Sequence, residues 1–217
     1  MNNQNMSVLL FNAINLKKKY GNSIVFENLN FTICENELVL IKGPNGSGKT
    51  TLLNILAKYD NVWEGVLNFK NIDLKKLKLH KYPISYIPDE PIFFEGLTVK
   101  EHLIYTASMF GYKRDEIREL VETYVNLFNL KDYLNYIPSQ LSKGNRQKVM
   151  ICCSLLKKFD ILIADEPFSF LDADSAKTLA EIFSILKENG KTIILSSHET
   201  EYFKNLIDRI LELKRGA

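Results

Sequence analysis

The spacing of apolar and polar positions divides the chain into strands and helices that follow one another in a regular order. Val8 to Leu16 and Ile24 to Ile33 carry short strand patterns around Tyr20-Gly21-Asn22, whose Gly-Asn pair predicts a hairpin turn. Leu38 to Ile41 is a compact apolar strand that stops at Gly43, and a helix starts near Gly48 and runs from Thr50 to Lys58. Gly65 to Phe69 and Ile84 to Ile87 read as further strands, the second ended by Pro88. Thr98 to Phe110 and Arg114 to Asn129 then switch to helical spacing, the second helix with Ile117, Leu120, Val121, Tyr124, Val125 and Phe128 on one face. Ser142 opens a helix containing Val149, Met150, Cys152, Cys153, Leu155 and Leu156. Ile161 to Ala164 is wholly apolar, as expected of a central parallel strand buried on both faces, and Lys191 to Leu195 reads as another buried strand. Between them a helix runs from Asp172, or Asp174, to about Glu188, and Ile207 to Leu213 is a last strand. The order predicts one α/β domain over 1–217. Its core would take 1–90 and 159–217, with an antiparallel β part at the start and a helical lobe at about 91–158.

The chemistry sits where strands end, which is where open parallel sheets bind ligands. Gly43-Pro44-Asn45-Gly46-Ser47-Gly48-Lys49-Thr50 fits G-x-x-x-x-G-K-S/T and is followed by Thr51. Its glycines let the backbone wrap a phosphate, the following helix turns its first N–H groups toward the loop, and Lys49 adds a point charge. The Thr50 hydroxyl can ligate Mg²⁺ held between phosphates. Asp165 and Glu166 follow the strand at Ile161; Asp165 can hold Mg²⁺ through a water, and Glu166 can orient or deprotonate an attacking water. Ser196, Ser197 and His198 end the next strand, which puts a neutral imidazole N–H within reach of a terminal phosphate. Asp89 and Glu90 follow Pro88, either facing the same crevice or forming a polar loop. Ser142 either caps its helix and nothing more, or offers an anion site at the helix start. Tyr20, at an exposed turn, either stacks on a purine or meets solvent.

Composition narrows the setting. With 217 residues and 46% apolar content the chain can bury one core, or one core with a satellite lobe. Its 28 Lys and Arg nearly balance 26 Asp and Glu, so no nucleic-acid partner is expected, and Lys17 to Lys19 and Lys75 to Lys81 read as solvated faces. Cys34, Cys152 and Cys153 lie in apolar stretches without ligand spacing, as reduced cysteines of a cytosolic protein do. No apolar run is long enough to span a bilayer and MNNQN has no signal-peptide pattern, so any membrane span is expected to come from another chain.

Together these residues resemble the ATP-binding subunit of an ABC (ATP-binding cassette) transporter over about Leu10 to Leu213. GPNGSGKTT is similar to the Walker A motif, ILIADEP to Walker B with its glutamate, and LSKGNRQ to the signature motif. Phe170-Leu171-Asp172 is similar to the D-loop, His198 to the switch histidine, and Tyr20 to the aromatic that stacks on adenine. The resemblance implies a P-loop NTPase fold with a mixed sheet core, an N-terminal antiparallel β subdomain and an inserted helical subdomain. It implies ATP and Mg²⁺ as ligands, with Glu166, His198 and Lys49 catalytic. It further implies that Gly43 through Thr51, with Tyr20, bind the nucleotide while Thr50, Asp165 and Asp89 face the metal. Two cassettes, identical or sister chains, would sandwich ATP head to tail. Ser142, Gly144 and Asn145 of one would face the phosphate loop of the other, with Asp172 tying the sites together.

Two positions depart from the family's usual pattern. Lys143 and Asn145 replace a glycine and a glutamine of the signature, and Asp89 stands where glutamine is usual, reaching the metal through water. A membrane permease would dock on the helical lobe near Phe93, Phe94 and Leu97, placing the protein on the cytoplasmic face of the cell membrane. The Lys-containing signature, Asp89 and an end soon after the last strand resemble export-type cassettes. The alternative is a soluble cassette ATPase acting on the ribosome or on DNA.

Overall fold

In the computed structural model, residues 8–214 are described. They form nine strands and five α-helices in two sheets. The first sheet is antiparallel, in the order β2-β1-β4-β5, built from β1 (Leu9–Tyr20), β2 (Ser23–Cys34), β4 (Glu64–Phe69) and β5 (Ile72–Asp73). The second is parallel, in the order β6-β7-β8-β3-β9. Its strands are β3 (Leu38–Lys42), β6 (Ile84–Ile87), β7 (Ile161–Asp165), β8 (Thr192–Ser196) and β9 (Arg209–Glu212). Each sheet is therefore of one kind, and the mixed character expected of the core lies in two packed sheets.

The parallel sheet divides the interior in two. Leu38 and Leu40 of β3, Leu162 and Ala164 of β7, and Ile193 and Leu195 of β8 face the core under the helices. Val39, Ile41, Ile161, Ile163 and Ile194 face the second core, shared with the antiparallel sheet and α1 (Lys49–Leu56). This is the alternation of a strand, but with both faces buried, which is why β3, β7 and β8 contain apolar residues at consecutive positions. Truncating any of the leucines or isoleucines among them to alanine would cost about 2–5 kcal/mol.

The register sets the site. Ile41 pairs with Ser196, and Ser196 with Asp165, so one row crosses three strands at their carboxyl ends. The phosphate loop and the two acidic residues leave the sheet from that row.

The helices α2 (Val99–Met109), α3 (Arg114–Leu127) and α4 (Lys143–Leu155) follow β6 without an intervening strand, and α5 (Ala173–Glu188) lies between β7 and β8. A reciprocal cap starts α2: Thr98 Oγ1 accepts from the Glu101 N–H and the Glu101 carboxylate accepts from the Thr98 N–H. Paired serines tie α4 to β6, since Ser85 Oγ donates to the Ser154 carbonyl and Ser154 Oγ to that of Tyr86.

Several boundaries differ from the sequence reading. β1 and β2 extend to the turn, so Tyr20 is the last residue of β1 and Gly21, at φ 56°, carries the reversal. α1 ends at Leu56, and Lys58, at φ 60°, turns back so that its Nζ donates to the carbonyls of Leu74 and Leu77. The two-residue β5 has no apolar pattern to announce it. All three cysteines are free and buried, and no helix among the described residues is long and apolar enough to cross a membrane.

Candidate active site

The phosphate loop hangs between β3 and α1. Gly46 and Gly48 sit at φ 79° and 95°, conformations that residues with a side chain adopt only at a cost. Space is as restrictive as dihedrals: a Cβ on Gly43 would lie 2.5 Å from the Leu213 carbonyl, and one on Gly48 2.6 Å from Val25. With Gly48 at the N-cap, no side chain caps α1 and no acidic residue stands in its first turn. Its first N–H groups thus keep their capacity for an anion. Lys49 Nζ donates to the carbonyl of Gly43 at 2.9 Å and lies 3.4 Å from that of Pro44, which holds the ammonium over the loop. Pro44, Asn45 and Thr50 are exposed, Thr51 is half-buried, and Ser47 is buried with its Oγ unpaired. A cavity of about 550 Å³ is bordered by Gly43, Pro44, Lys49, Ser197 and His198.

The two acidic residues are held differently. Asp165 is 1% exposed; one carboxylate oxygen accepts from Ser196 Oγ and the other, Oδ2, is buried without a partner. Glu166 takes φ 45°, a left-handed conformation that costs a non-glycine residue about 1–2 kcal/mol. Its carboxylate accepts the His198 N–H at 3.0 Å, and His198 Nε2 stands 3.5 Å from its other oxygen. Burial raises the Glu166 carboxyl above the usual range, against the opposing effects of the His198 N–H and Lys49. That shift toward a carboxylate that holds its proton more tightly suits a general base.

Thr50, Asp89 and Asp165 line a second, larger cavity of about 1160 Å³. Burial, and then the charges of Asp165 and Glu90, push the Asp89 carboxyl upward. An unpaired carboxylate oxygen buried beside a second carboxylate and a hydroxyl fits a hard cation. Among the described residues no group of three His, Cys, Asp or Glu could hold a metal alone. Tyr20 borders the same cavity. Its hydroxyl donates to Asp60 at 2.9 Å and the ammonium of the buried Lys18 lies 4.5 Å from its ring centroid. One face of the ring is thereby fixed by a cation.

The Ser142 stretch borders neither cavity. Ser142 caps α4, its Oγ accepting the Asn145 N–H at 3.2 Å. Gly144 lets the segment at Phe170 approach: a Cβ there would stand 2.5 Å from the Phe170 carbonyl. Asp172 is the α5 cap, accepting from the Ser175 N–H at 2.9 Å and from Lys148 Nζ at 2.6 Å.

Comparison with known proteins decides what this arrangement belongs to. The family model described as "ABC transporter" matches residues 26–169. The chain belongs to the ABC transporter family. An uncharacterised ABC transporter ATP-binding protein of Methanocaldococcus jannaschii is 36% identical over 93% of this chain and 73% of its own. The spermidine/putrescine import ATP-binding protein PotA of Spiroplasma citri is 33% identical over 94% of this chain and 58% of its own. Across eight curated relatives, these two among them, the chain spans from 54% to 81% of the relative's length. Among solved structures, a dimeric ATP-binding cassette in a post-hydrolysis state bound to ADP and Pi superposes with TM-score 0.83 at 26% identity, over 96% of this chain and 97% of that one.

Within this ABC ATPase domain the structure brings the phosphate loop, Asp165, Glu166 and His198 to the carboxyl ends of the parallel strands, while Lys143, Arg146 and Gln147 line a separate cavity with Asp89 and Glu90. It also uses residues to which the sequence assigned no role. Ser196 bonds both acidic residues, Lys148 holds Asp172, and Lys18 with Asp60 holds Tyr20. Tyr86 donates to Asn54 of α1 across the larger cavity. His102 is buried: its Nε2 accepts the Phe94 N–H and its Nδ1 meets the Thr98 carbonyl. Of the apolar residues expected to be exposed, Phe94 is, whereas Phe93 and Leu97 are partly buried and Ile92 turns outward instead.

Proposed function

We propose that the chain is the ATP-hydrolysing subunit of a transporter in which two cassettes close on two ATP molecules head to tail. The observation that carries this is the separation of two phosphate-binding starts. The Lys49 helix borders the acidic residues, while Ser142 and the first turn of its helix border neither cavity, and in this reading that turn meets its phosphate on a second cassette.

Gly43 to Thr51 bind the triphosphate and Tyr20 supports the base. Thr50, Asp165 and Asp89 would hold Mg²⁺, which when bound would neutralise charge on the phosphates. Glu166 accepts a proton from the attacking water, while His198 and Lys49 donate hydrogen bonds to the oxygens where negative charge develops. ATP then makes bonds to both chains, and hydrolysis removes the group that held them closed. Asp172 carries the state of one site to the other.

The partner is an integral-membrane permease, docked on the lobe of residues 91–158 at the exposed Ile92, Phe94, Tyr105 and Met109, with the cassette on the cytoplasmic face of the membrane. Lys143 and Asp89 favour export. Glu166→Gln tests the core of this reading. With Mg-ATP it should elute as a dimer and turn over at least about a hundredfold more slowly, as loss of a general base predicts. Unchanged hydrolysis, or a monomer in the presence of every sister subunit and permease, would overturn it.

A further inference from the structure

The hydroxyl of Ser196, the last residue of β8, is fully buried and makes two hydrogen bonds. It donates to Oδ1 of Asp165 and accepts the N–H of Glu166 at 3.0 Å. A serine hydroxyl has a single proton to give and the Glu166 amide can only donate, so the direction of both bonds is fixed. The Ser196 carbonyl takes a share of the same Glu166 N–H at 3.2 Å, and two residues on the His198 N–H holds the Glu166 carboxylate.

Two things follow. With Oδ1 engaged, the Asp165 carboxylate is held in one rotation and Oδ2 is its unpaired oxygen. The left-handed backbone of Glu166 is also anchored at its own amide, close to the carbon that carries its side chain. We infer that Ser196 is a positioning residue for ATP hydrolysis, setting the metal-holding Asp165 and the water-activating Glu166 as one unit from the end of β8. This rests on the roles proposed for those two residues.

The test compares Ser196→Ala, Ser196→Cys and Ser196→Thr with Glu166→Gln in the full chain. It measures kcat, KM for ATP, the Mg²⁺ concentration giving half-maximal binding of a fluorescent ATP analogue, and thermal unfolding. Alanine leaves a buried carboxylate oxygen unpaired. The expected result is at least about a tenfold loss of kcat and about a threefold rise in the Mg²⁺ requirement, with KM for ATP within about twofold, the split of an interaction used in the chemical step. Threonine, which keeps the hydroxyl, should restore both to within about threefold, and cysteine, a weak donor of similar volume, should behave as alanine does. If alanine does not fold, cysteine carries the comparison.

Normal turnover and Mg²⁺ dependence in Ser196→Ala or Ser196→Cys, while Glu166→Gln is inactive, would overturn the inference and leave the base assignment standing. Equal damage from threonine and alanine would also overturn it, since volume rather than the hydroxyl would then matter. An active Glu166→Gln would overturn the base assignment and this inference with it.

Discussion

Gly144→Ala sets two effects of opposite sign against each other. Gly144 stands in the first turn of α4, where alanine would ordinarily gain about 0.5–1 kcal/mol through helix propensity. Its added Cβ, however, would lie 2.5 Å from the Phe170 carbonyl oxygen, where ordinary contact begins at 3.4 Å. One of the two backbones must move by close to 1 Å. Neither is free to do so: α4 is held to β6 through Ser154, and Phe170, already at φ 64°, lies two residues before the Asp172 cap. Overpacking of this kind costs about 1–3 kcal/mol, so the clash exceeds the gain and the protein should lose about 0–2.5 kcal/mol. For a chain of this size that lowers Tm by up to about 10 °C.

The effect on activity should be larger than the effect on stability. Phe170 joins Glu166 to Asp172, and a displacement near 1 Å in a positioning segment can cost about a hundredfold in rate. Circular dichroism melts and phosphate release from the same preparation check both. A variant with raised Tm and wild-type hydrolysis would show that the close approach of Gly144 and Phe170 is not required, and the geometric reasoning would fail.

Two further predictions concern ionisation. Lys148, and then the Ser175 N–H, hold the Asp172 carboxyl well below the usual carboxylate range. A folded-state value below the unfolded one, about 3.9, gives stability that is present above that pH and is lost as pH falls from there through the folded value. Asp172→Asn, which keeps a capping oxygen but not the charge, should flatten the acid limb of Tm against pH below about 4; an unchanged limb would refute the pairing. Burial pushes the Cys153 thiol up to about 11 and Cys152 well above its ordinary value. With Cys34 also buried, a maleimide at about pH 8 should label none of the three cysteines in the native protein and all of them in denaturant. Rapid native labelling would contradict the packing of α4.

Much of the site was legible because its residues follow strands whose patterns are unambiguous. The apolar runs Ile161 to Ala164 and Ile193 to Leu195 pointed to strands buried on both faces, so Asp165 and His198 had to emerge at the carboxyl ends of those strands. The glycines at 46 and 48 had to serve a turn that side chains would forbid. What could not be read were contacts between residues distant in sequence. Nothing local in Ser196 says that its partner is Asp165, 31 positions earlier. Lys148 reads as an ordinary lysine on a helix until α5 brings Asp172 to it. Phe93 and Phe94 are identical in composition and neighbours in sequence, and both meet the His102 ring, so nothing local says that Phe93 is the one turned inward. Tyr20 was placed at the turn, but the ammonium beneath its ring comes from the same strand two residues earlier, a contact set by the pleat.

β3, β7 and β8 lie between two packed interiors and have no face toward water. Their central amides should therefore be the last in the molecule to exchange with deuterium, opening only in global unfolding. The phosphate loop and Asp165 leave from the ends of those strands. Partial opening of the helical lobe or of the outer β-sheet would thus leave the chemical centre anchored on the segment that melts last.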